Sequence, residues 1–236
     1  MLKILALGNS FSTDCTTYLD RVGKNLYVRN LYIGGCSLER HAKNLLEDLP
    51  YYQLQVQGEP IQEELVSAAA LFCADEWDFI TVQQASGVSG LQESFDPHLD
   101  VVLDYIRRLC PRAKILWHQT WAYATYSTHP EFVNYGKDQA QMWKQIEACS
   151  HRTVREKQLD GIIETGRAIQ ALREQLTPDG TELCRDGFHL SLDYGRYAGA
   201  YVWAKKFGAE CTGFVPDGAD EARVAQIRRI IDNVDK

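Results

Sequence analysis

Short apolar runs alternate with longer amphipathic segments along most of this chain. Five of the apolar runs are only four to six residues long and rich in branched side chains, which is typical of buried strands. The segments between them repeat apolar residues at helical spacing. The predicted strands are residues 2–7, 28–33, 78–83, 114–119 and 161–164. The predicted helices are residues 17–26, 39–49, 60–74, 97–109, 135–157, 167–176, 193–207 and 219–234.

This alternation predicts a parallel sheet with helices on both faces. Parallel neighbours need crossover connections, and a helix between successive strands supplies one. We therefore expect one α/β domain over residues 1–236, a three-layer α/β/α sandwich whose five-stranded parallel sheet has the order 2-1-3-4-5. In such sheets ligands bind beyond the carboxyl ends of the strands, so residues that carry chemistry are expected there.

Two short motifs at opposite ends of the chain supply the candidate chemistry. Gly8-Asn9-Ser10 connects the first strand to a helix, which exposes a hydroxyl and places the serine N–H at a helix N-terminus. Asp186 precedes His189 by three residues, so its carboxylate can hold the imidazole in one tautomer. Together the motifs contain the nucleophile, base and orienting group of a serine hydrolase. Taken singly, they also fit a helix cap and an Asp-Gly turn beside a surface histidine.

In combination, these motifs resemble the SGNH/GDSL hydrolase superfamily. The motifs that carry the resemblance are Gly8-Asn9-Ser10, Gly34-Gly35 after the second strand, and Asp186-x-x-His189. Residues 7–12 and 77–84 further resemble a branch of uncharacterised bacterial SGNH proteins. The resemblance implies a flavodoxin-like fold, esterase or lipase activity that often removes acetyl groups from carbohydrates, and no cofactor.

The resemblance also implies a role for each motif residue. Ser10 would be the nucleophile, and His189 the general base and then the general acid. Asp186 would orient His189. The backbone N–H groups of Ser10 and Gly35 would bind the oxyanion, and a glycine suits this position because the substrate must approach the backbone closely.

Two of the motifs depart from the superfamily pattern. Asn9 stands where the commoner form has Asp, and we expect little effect because the nucleophile does not depend on that carboxylate. Gln83 and Gln84 stand where the superfamily has Gly-x-Asn-Asp, whose Asn donates to the oxyanion. Because a Gln amide can donate the same bond, we expect one of the two to complete the oxyanion hole. The alternative is a polar strand end whose amides bond to local backbone groups.

The end of the fourth predicted strand and the segment after it form the candidate substrate-binding region. Residues 121–134 form the best candidate for a long functional loop. His118, Trp121 and Tyr123 are expected to line a sugar site, with an aromatic ring stacking on the sugar. The alternative places the same residues in the core.

The resemblance, together with the aromatic residues near the fourth strand, implies a serine esterase that removes a small acyl group, such as acetyl, from a carbohydrate or another small molecule. No spacing of His, Asp or Glu indicates a metal site. The alternative function is a non-catalytic carbohydrate-binding relative with the same fold, which the altered Gln83-Gln84 motif suggests. A phosphate or nucleotide binder fits poorly, because the loop after the first strand lacks the glycine patterns that cradle phosphates.

The composition and charge limit which partners the protein is expected to bind and in which compartment it is expected. A formal net charge of -7 and no long Lys/Arg run argue against a nucleic-acid partner. The seven cysteines are widely spaced with no C-x-x-C, which predicts free thiols rather than zinc ligands or disulfides. The sequence shows neither a signal peptide nor an apolar run that would span a membrane. We therefore expect a cytoplasmic protein without a membrane partner, or a secreted or periplasmic one if a leader has been removed.

Overall fold

A computed structural model of the protein describes residues 1–180 and 182–234, and within them seven strands form one sheet. The strands are β1 Leu2–Gly8, β2 Leu26–Tyr32, β3 Gln53–Val56, β4 Glu59–Pro60, β5 Phe79–Val82, β6 Lys114–His118 and β7 Gly161–Ile163. Their order in the sheet is β4-β3-β2-β1-β5-β6-β7. The five strands from β2 to β7 in this order are parallel, which confirms the predicted parallel core and its 2-1-3-4-5 order.

The prediction of only five strands is wrong at one edge of the sheet. There β3 and β4 add an antiparallel hairpin beside β2. The turn between them is the pair Gln57-Gly58, and both residues have positive φ, at 53° and 79°. Such a pair is typical of two-residue hairpin turns. Pro60 is tolerated in β4 because an edge strand leaves one side of its backbone unpaired.

Helices pack on both faces of this sheet. They are α1 Ser10–Thr16, α2 Leu19–Val22, α3 Leu38–Glu47, α4 Ala68–Phe72, α5 His98–Leu109, α6 Gln139–Glu156, α7 Thr165–Leu176, α8 Tyr194–Lys206 and α9 Glu221–Asn233. The predicted helix over 17–26 is shortened to α2, because β2 already begins at Leu26, and α1 as a separate helix was not predicted. The predicted helix over 60–74 shrinks to α4, since the hairpin occupies its start. Among the described residues, no helix is long and apolar enough to cross a membrane.

The central strand β1 divides the core into two layers. Ile4 and Ala6 pack into one apolar cluster with residues of α1, α7, α8 and α9. Leu5 and Leu7 point to the other face and join a second cluster with residues of α3, α4 and α5. Alternate residues of a strand face opposite sides of the sheet, so a continuous apolar run is the pattern expected of a strand buried on both faces. The predicted three-layer α/β/α sandwich is confirmed.

Candidate active site

Ser10 is the first residue of α1, directly beyond the carboxyl end of the central strand β1. The side chain of Asn9 caps the helix by accepting a 3.0 Å hydrogen bond from the backbone N–H of Phe11. A glycine is needed at position 8, because a Cβ there would lie only 2.4 Å from the Oγ of Ser12. The local sequence therefore fixes where the Ser10 hydroxyl emerges.

The structure brings Ser10, His189 and Asp186 together. His189 Nε2 lies 2.8 Å from Ser10 Oγ, although 179 residues separate them along the chain. His189 Nδ1 lies 2.7 Å from Asp186 Oδ2. Since an ionised carboxylate only accepts hydrogen bonds, Nδ1 carries a proton and Nε2 of the neutral ring is free to accept the serine proton.

A tight loop holds Asp186 in this arrangement. Its Oδ1 accepts hydrogen bonds from the backbone N–H of Phe188 at 3.1 Å and of His189 at 2.8 Å. Burial acts to raise the pKa of Asp186, but the hydrogen bonds from His189 and Phe188 outweigh it and lower that pKa below its ordinary value. Gly187 is required in the loop, because its φ is +88° and a Cβ would lie 2.8 Å from the Cα of Ser127.

Ser10 and His189 line a cleft with a volume of about 710 Å³. Gly35 lies at its edge with a φ of +60° and no atom within 4 Å of where a Cβ would be. The lining residues, all within the described part of the chain, are Asn9, Ser10, Phe11, Tyr32, Gly34, Gly35, Ser37, Glu39, Gln84, Ala85, Ser86, Val88, Glu93, Ser94, His98, His129, Glu131, Phe188 and His189. Three of these are glutamates and none is lysine or arginine, so the cleft wall is rich in negative charge.

The prediction that Gln83 donates to the oxyanion is not supported, because its side chain already has two partners. Its Nε2 donates to Asn9 Oδ1 at 2.8 Å, and its Oε1 accepts from His118 Nδ1 at 2.9 Å. His118 is fully buried, and desolvation lowers its pKa to about 3. Gln83 therefore joins a buried chain of hydrogen bonds that supports Asn9 from below.

Gln84 reaches the cleft wall, but its amide is also occupied. Its Oε1 accepts from the backbone N–H of Leu38 at 2.9 Å and of Ala85 at 2.8 Å. Its Nε2 donates to the backbone oxygen of Ser94 at 2.9 Å and to the Ser94 hydroxyl at 3.1 Å. Gln84 thus ties three segments of the cleft wall together, and the prediction of a free donor here is not supported either.

The predicted sugar contacts of His118, Trp121 and Tyr123 do not fit their positions, because all three side chains are buried beneath the cleft. Trp121 stacks on Phe11 with ring centroids 4.1 Å apart, and its Nε1 donates to the backbone oxygen of Phe188 at 2.7 Å. Trp121 therefore packs between the neighbour of Ser10 and the neighbour of His189. The alternative reading of these aromatics as core residues describes them better.

Different residues of the predicted long loop reach the cleft. His129 packs edge-to-face on Phe188 with centroids 4.7 Å apart, and its Nδ1 lies 4.0 Å from Glu131 Oε2. His129 caps the start of a short 3-10 helix, Pro130–Tyr135, and Glu131 lies in its first turn. The irregular sequence between β6 and α6 indicates such a loop, but spacing alone does not tell which of its side chains face the solvent.

The described residues offer no cluster of three or more His, Cys, Asp or Glu side chains arranged to hold a metal ion.

The parallel sheet, with a serine after its central strand and an Asp-x-x-His loop beside it, defines an α/β protein with the fold of SGNH/GDSL hydrolases. The chain belongs to the DUF4886 family, a domain of unknown function, whose family model matches residues 3–230. A DUF4886 family protein from Bacteroides uniformis is 33% identical and superposes with a TM-score of 0.87, covering 100% of this chain and 96% of that one.

More distant solved structures share the fold. A member of the lipolytic protein G-D-S-L family from Veillonella parvula is 10% identical with a TM-score of 0.56, over 88% of this chain and 99% of that one. Axe2, an acetylxylan esterase from Geobacillus stearothermophilus, is 15% identical with a TM-score of 0.51, over 87% and 92% of the two chains. No curated protein matches the sequence.

Proposed function

We propose that this protein is a serine hydrolase that cleaves an ester through an acyl-enzyme on Ser10. The observation that carries the proposal is the unbroken series of hydrogen bonds from Ser10 Oγ through His189 to Asp186. In the first step Ser10 Oγ attacks the ester carbonyl while His189 Nε2 takes the hydroxyl proton. His189 returns that proton to the departing alkoxide. Water then attacks the acyl-enzyme with His189 as base, which releases the acid and restores Ser10.

Two backbone N–H groups are the proposed donors to the tetrahedral oxyanion. The first belongs to Ser10 at the start of α1, and the second to Gly35 at the edge of the cleft. Asn9 supports this pairing, because its Nδ2 donates to the backbone oxygen of Cys36 at 3.1 Å and so links the two segments. A hole made of preorganised donors stabilises the transition state more than the ground state.

The proposed substrate is a small acyl ester of a carbohydrate. The cleft is open and lined by hydroxyl, carboxylate and imidazole side chains that can hydrogen-bond a sugar, as with Ser37, Ser86 and Glu131. Its glutamates disfavour an anionic substrate, because like charges repel in a partly desolvated cleft. The likeness of the fold to an acetylxylan esterase is consistent with this substrate class.

The test compares the wild type with Ser10→Ala and His189→Ala in the hydrolysis of p-nitrophenyl acetate, followed by acetylated sugars. We expect both variants to lose at least about a thousandfold in kcat, since the members of a triad act as a unit. A fluorophosphonate probe should label the wild type on the peptide that contains Ser10. Equal background rates in all three proteins would overturn the hydrolase proposal and favour the non-catalytic carbohydrate-binding alternative.

A further inference from the structure

Asp14 is a buried carboxylate one helical turn beyond Ser10 on α1. Its Oδ2 accepts a 2.8 Å hydrogen bond from the backbone N–H of Leu190. Its Oδ1 accepts from Arg185 Nη1 at 3.1 Å and from Arg196 Nε at 2.9 Å. One side chain on the serine helix is thus bonded to three separate donors from the C-terminal part of the chain.

The positions of these donors are informative. Arg185 directly precedes Asp186, and Leu190 directly follows His189. Asp14 therefore hydrogen-bonds to both ends of the Asp-x-x-His loop. The loop is also closed on itself, because the backbone N–H of Arg185 donates to the backbone oxygen of His189 at 3.0 Å. The Arg185 guanidinium makes a further hydrogen bond to the backbone oxygen of Leu190.

We propose that Asp14 is a positioning residue, which sets the His189 loop against the helix that carries Ser10. The inference rests on the proposed hydrolase function. Ser10 belongs to α1 and His189 to the loop between Arg185 and Leu190, and among the described residues Asp14 links the two through charge-assisted hydrogen bonds. Proton transfer between Ser10 and His189 requires their atoms to stay within hydrogen-bond reach, so a small shift of the loop should slow the reaction.

The experiment measures kcat and KM of Asp14→Asn with p-nitrophenyl acetate. Asparagine keeps the size of the side chain and one acceptor oxygen but loses the charge that holds Arg185 and Arg196. We expect kcat to fall roughly 10- to 100-fold, the loss associated with a displacement of about 1 Å, while KM changes less than about threefold. Arg185→Gln, which removes only one of the three donors, should lie between the wild type and Asp14→Asn.

Ile227→Ala is the matched control for general destabilisation. Ile227 is fully buried in α9, where it joins the apolar cluster that covers one face of the sheet. This variant should lower the Tm but keep the wild-type kcat when assayed well below that Tm. A purely structural role of Asp14 would give Asp14→Asn the same behaviour.

A second readout is independent of turnover. The Nδ1–H proton of His189, hydrogen-bonded to Asp186, should give a resolved NMR resonance that shifts and exchanges faster with solvent in Asp14→Asn and in Arg185→Gln. Wild-type kcat together with an unchanged resonance in both variants would overturn the positioning role. If the wild type itself shows neither hydrolysis nor probe labelling, the proposed function fails, and the His189 resonance still decides whether Asp14 positions the loop.

Discussion

Asn9 Nδ2 donates a 3.1 Å hydrogen bond to the backbone oxygen of Cys36, a bond that an aspartate at this position is unable to make. From the sequence alone, Asn in place of Asp at this position is expected to matter little. In the structure the Asn9 amide has a specific role, because its hydrogen bond joins the segment that carries Ser10 to the segment that carries Gly35. The Oδ1 of the same side chain accepts from Gln83 at 2.8 Å, so both atoms of the amide are used.

Asn9→Asp is expected to lower kcat for p-nitrophenyl acetate by about tenfold or more. The carboxylate would face the backbone oxygen of Cys36 in a buried setting, where two unpaired acceptors repel and one hydrogen bond worth about 1 kcal/mol is lost. Asn44→Asp makes the same change at another buried position, on α3, and should leave kcat unchanged. Equal kcat values in Asn9→Asp and the wild type would show that this hydrogen bond does not position the segment that carries Gly35.

Gln83→Ala separates a supporting role from a direct role in the oxyanion hole. Removing a true oxyanion donor costs about 2.7–4 kcal/mol, or 100- to 1,000-fold in kcat. Removing a neutral supporting hydrogen bond costs about 1 kcal/mol. We therefore expect a loss below about tenfold in kcat, together with a lower Tm because His118 Nδ1 is left without its acceptor. If Gln83→Ala is fully folded and its kcat is more than a hundredfold lower, Gln83 donates directly to the oxyanion.

The two buried histidines make stability depend on pH in a predictable direction. Burial lowers the pKa of His118 to about 3, and burial with the nearby charge of Arg40 lowers that of His41 to about 3. In the unfolded chain both rings have a pKa of about 6.5, so between about pH 6.5 and pH 3 only the unfolded chain binds these protons. Stability from this source is complete above pH 6.5 and falls as the pH decreases.

His118→Gln should therefore reduce the slope of the unfolding free energy with pH. Each histidine contributes about 1.4 kcal/mol per pH unit in this window, so urea titrations between about pH 6 and pH 5 should show a slope smaller by nearly that amount. Gln83→Ala removes the same hydrogen bond from the other side and should lower stability without changing the slope. An unchanged slope in His118→Gln would mean that the ring is protonated in the folded protein.

The acidic cleft should discriminate against anionic esters. We expect kcat/KM for p-nitrophenyl butyrate to exceed that for the p-nitrophenyl monoester of succinate, an acyl chain of equal length, by roughly tenfold at low salt. Added salt should reduce the ratio, because it screens exposed charges. Glu131→Gln, which removes one carboxylate of the cleft wall, should do the same. Equal or faster turnover of the succinate ester would contradict this reading of the cleft.

Much of the architecture is predictable because it follows from the local pattern of apolar and polar residues. The apolar runs locate the five parallel strands, and alternation with helices implies their pairing and the edge at which loops gather. The hairpin Gln53–Val56 and Glu59–Pro60 escapes this reasoning, since its strands are short and its turn lacks the usual Asn-Gly or Asp-Gly pair. The Asp186 loop is local as well, because three residues suffice to bring its carboxylate to His189.

The hydrogen-bond partners of the polar side chains, in contrast, are not predictable from local sequence. The sequence by itself determined the fold class and the residue types of the site, because periodicity, glycine turns and short motifs act over a few residues. Only the tertiary structure decided that Ser10 meets His189, that Gln83 supports Asn9 instead of facing the cleft, and that Trp121 lies beneath it. These outcomes depend on packing between elements far apart in the chain, where each buried polar group takes whichever partner the neighbouring element presents.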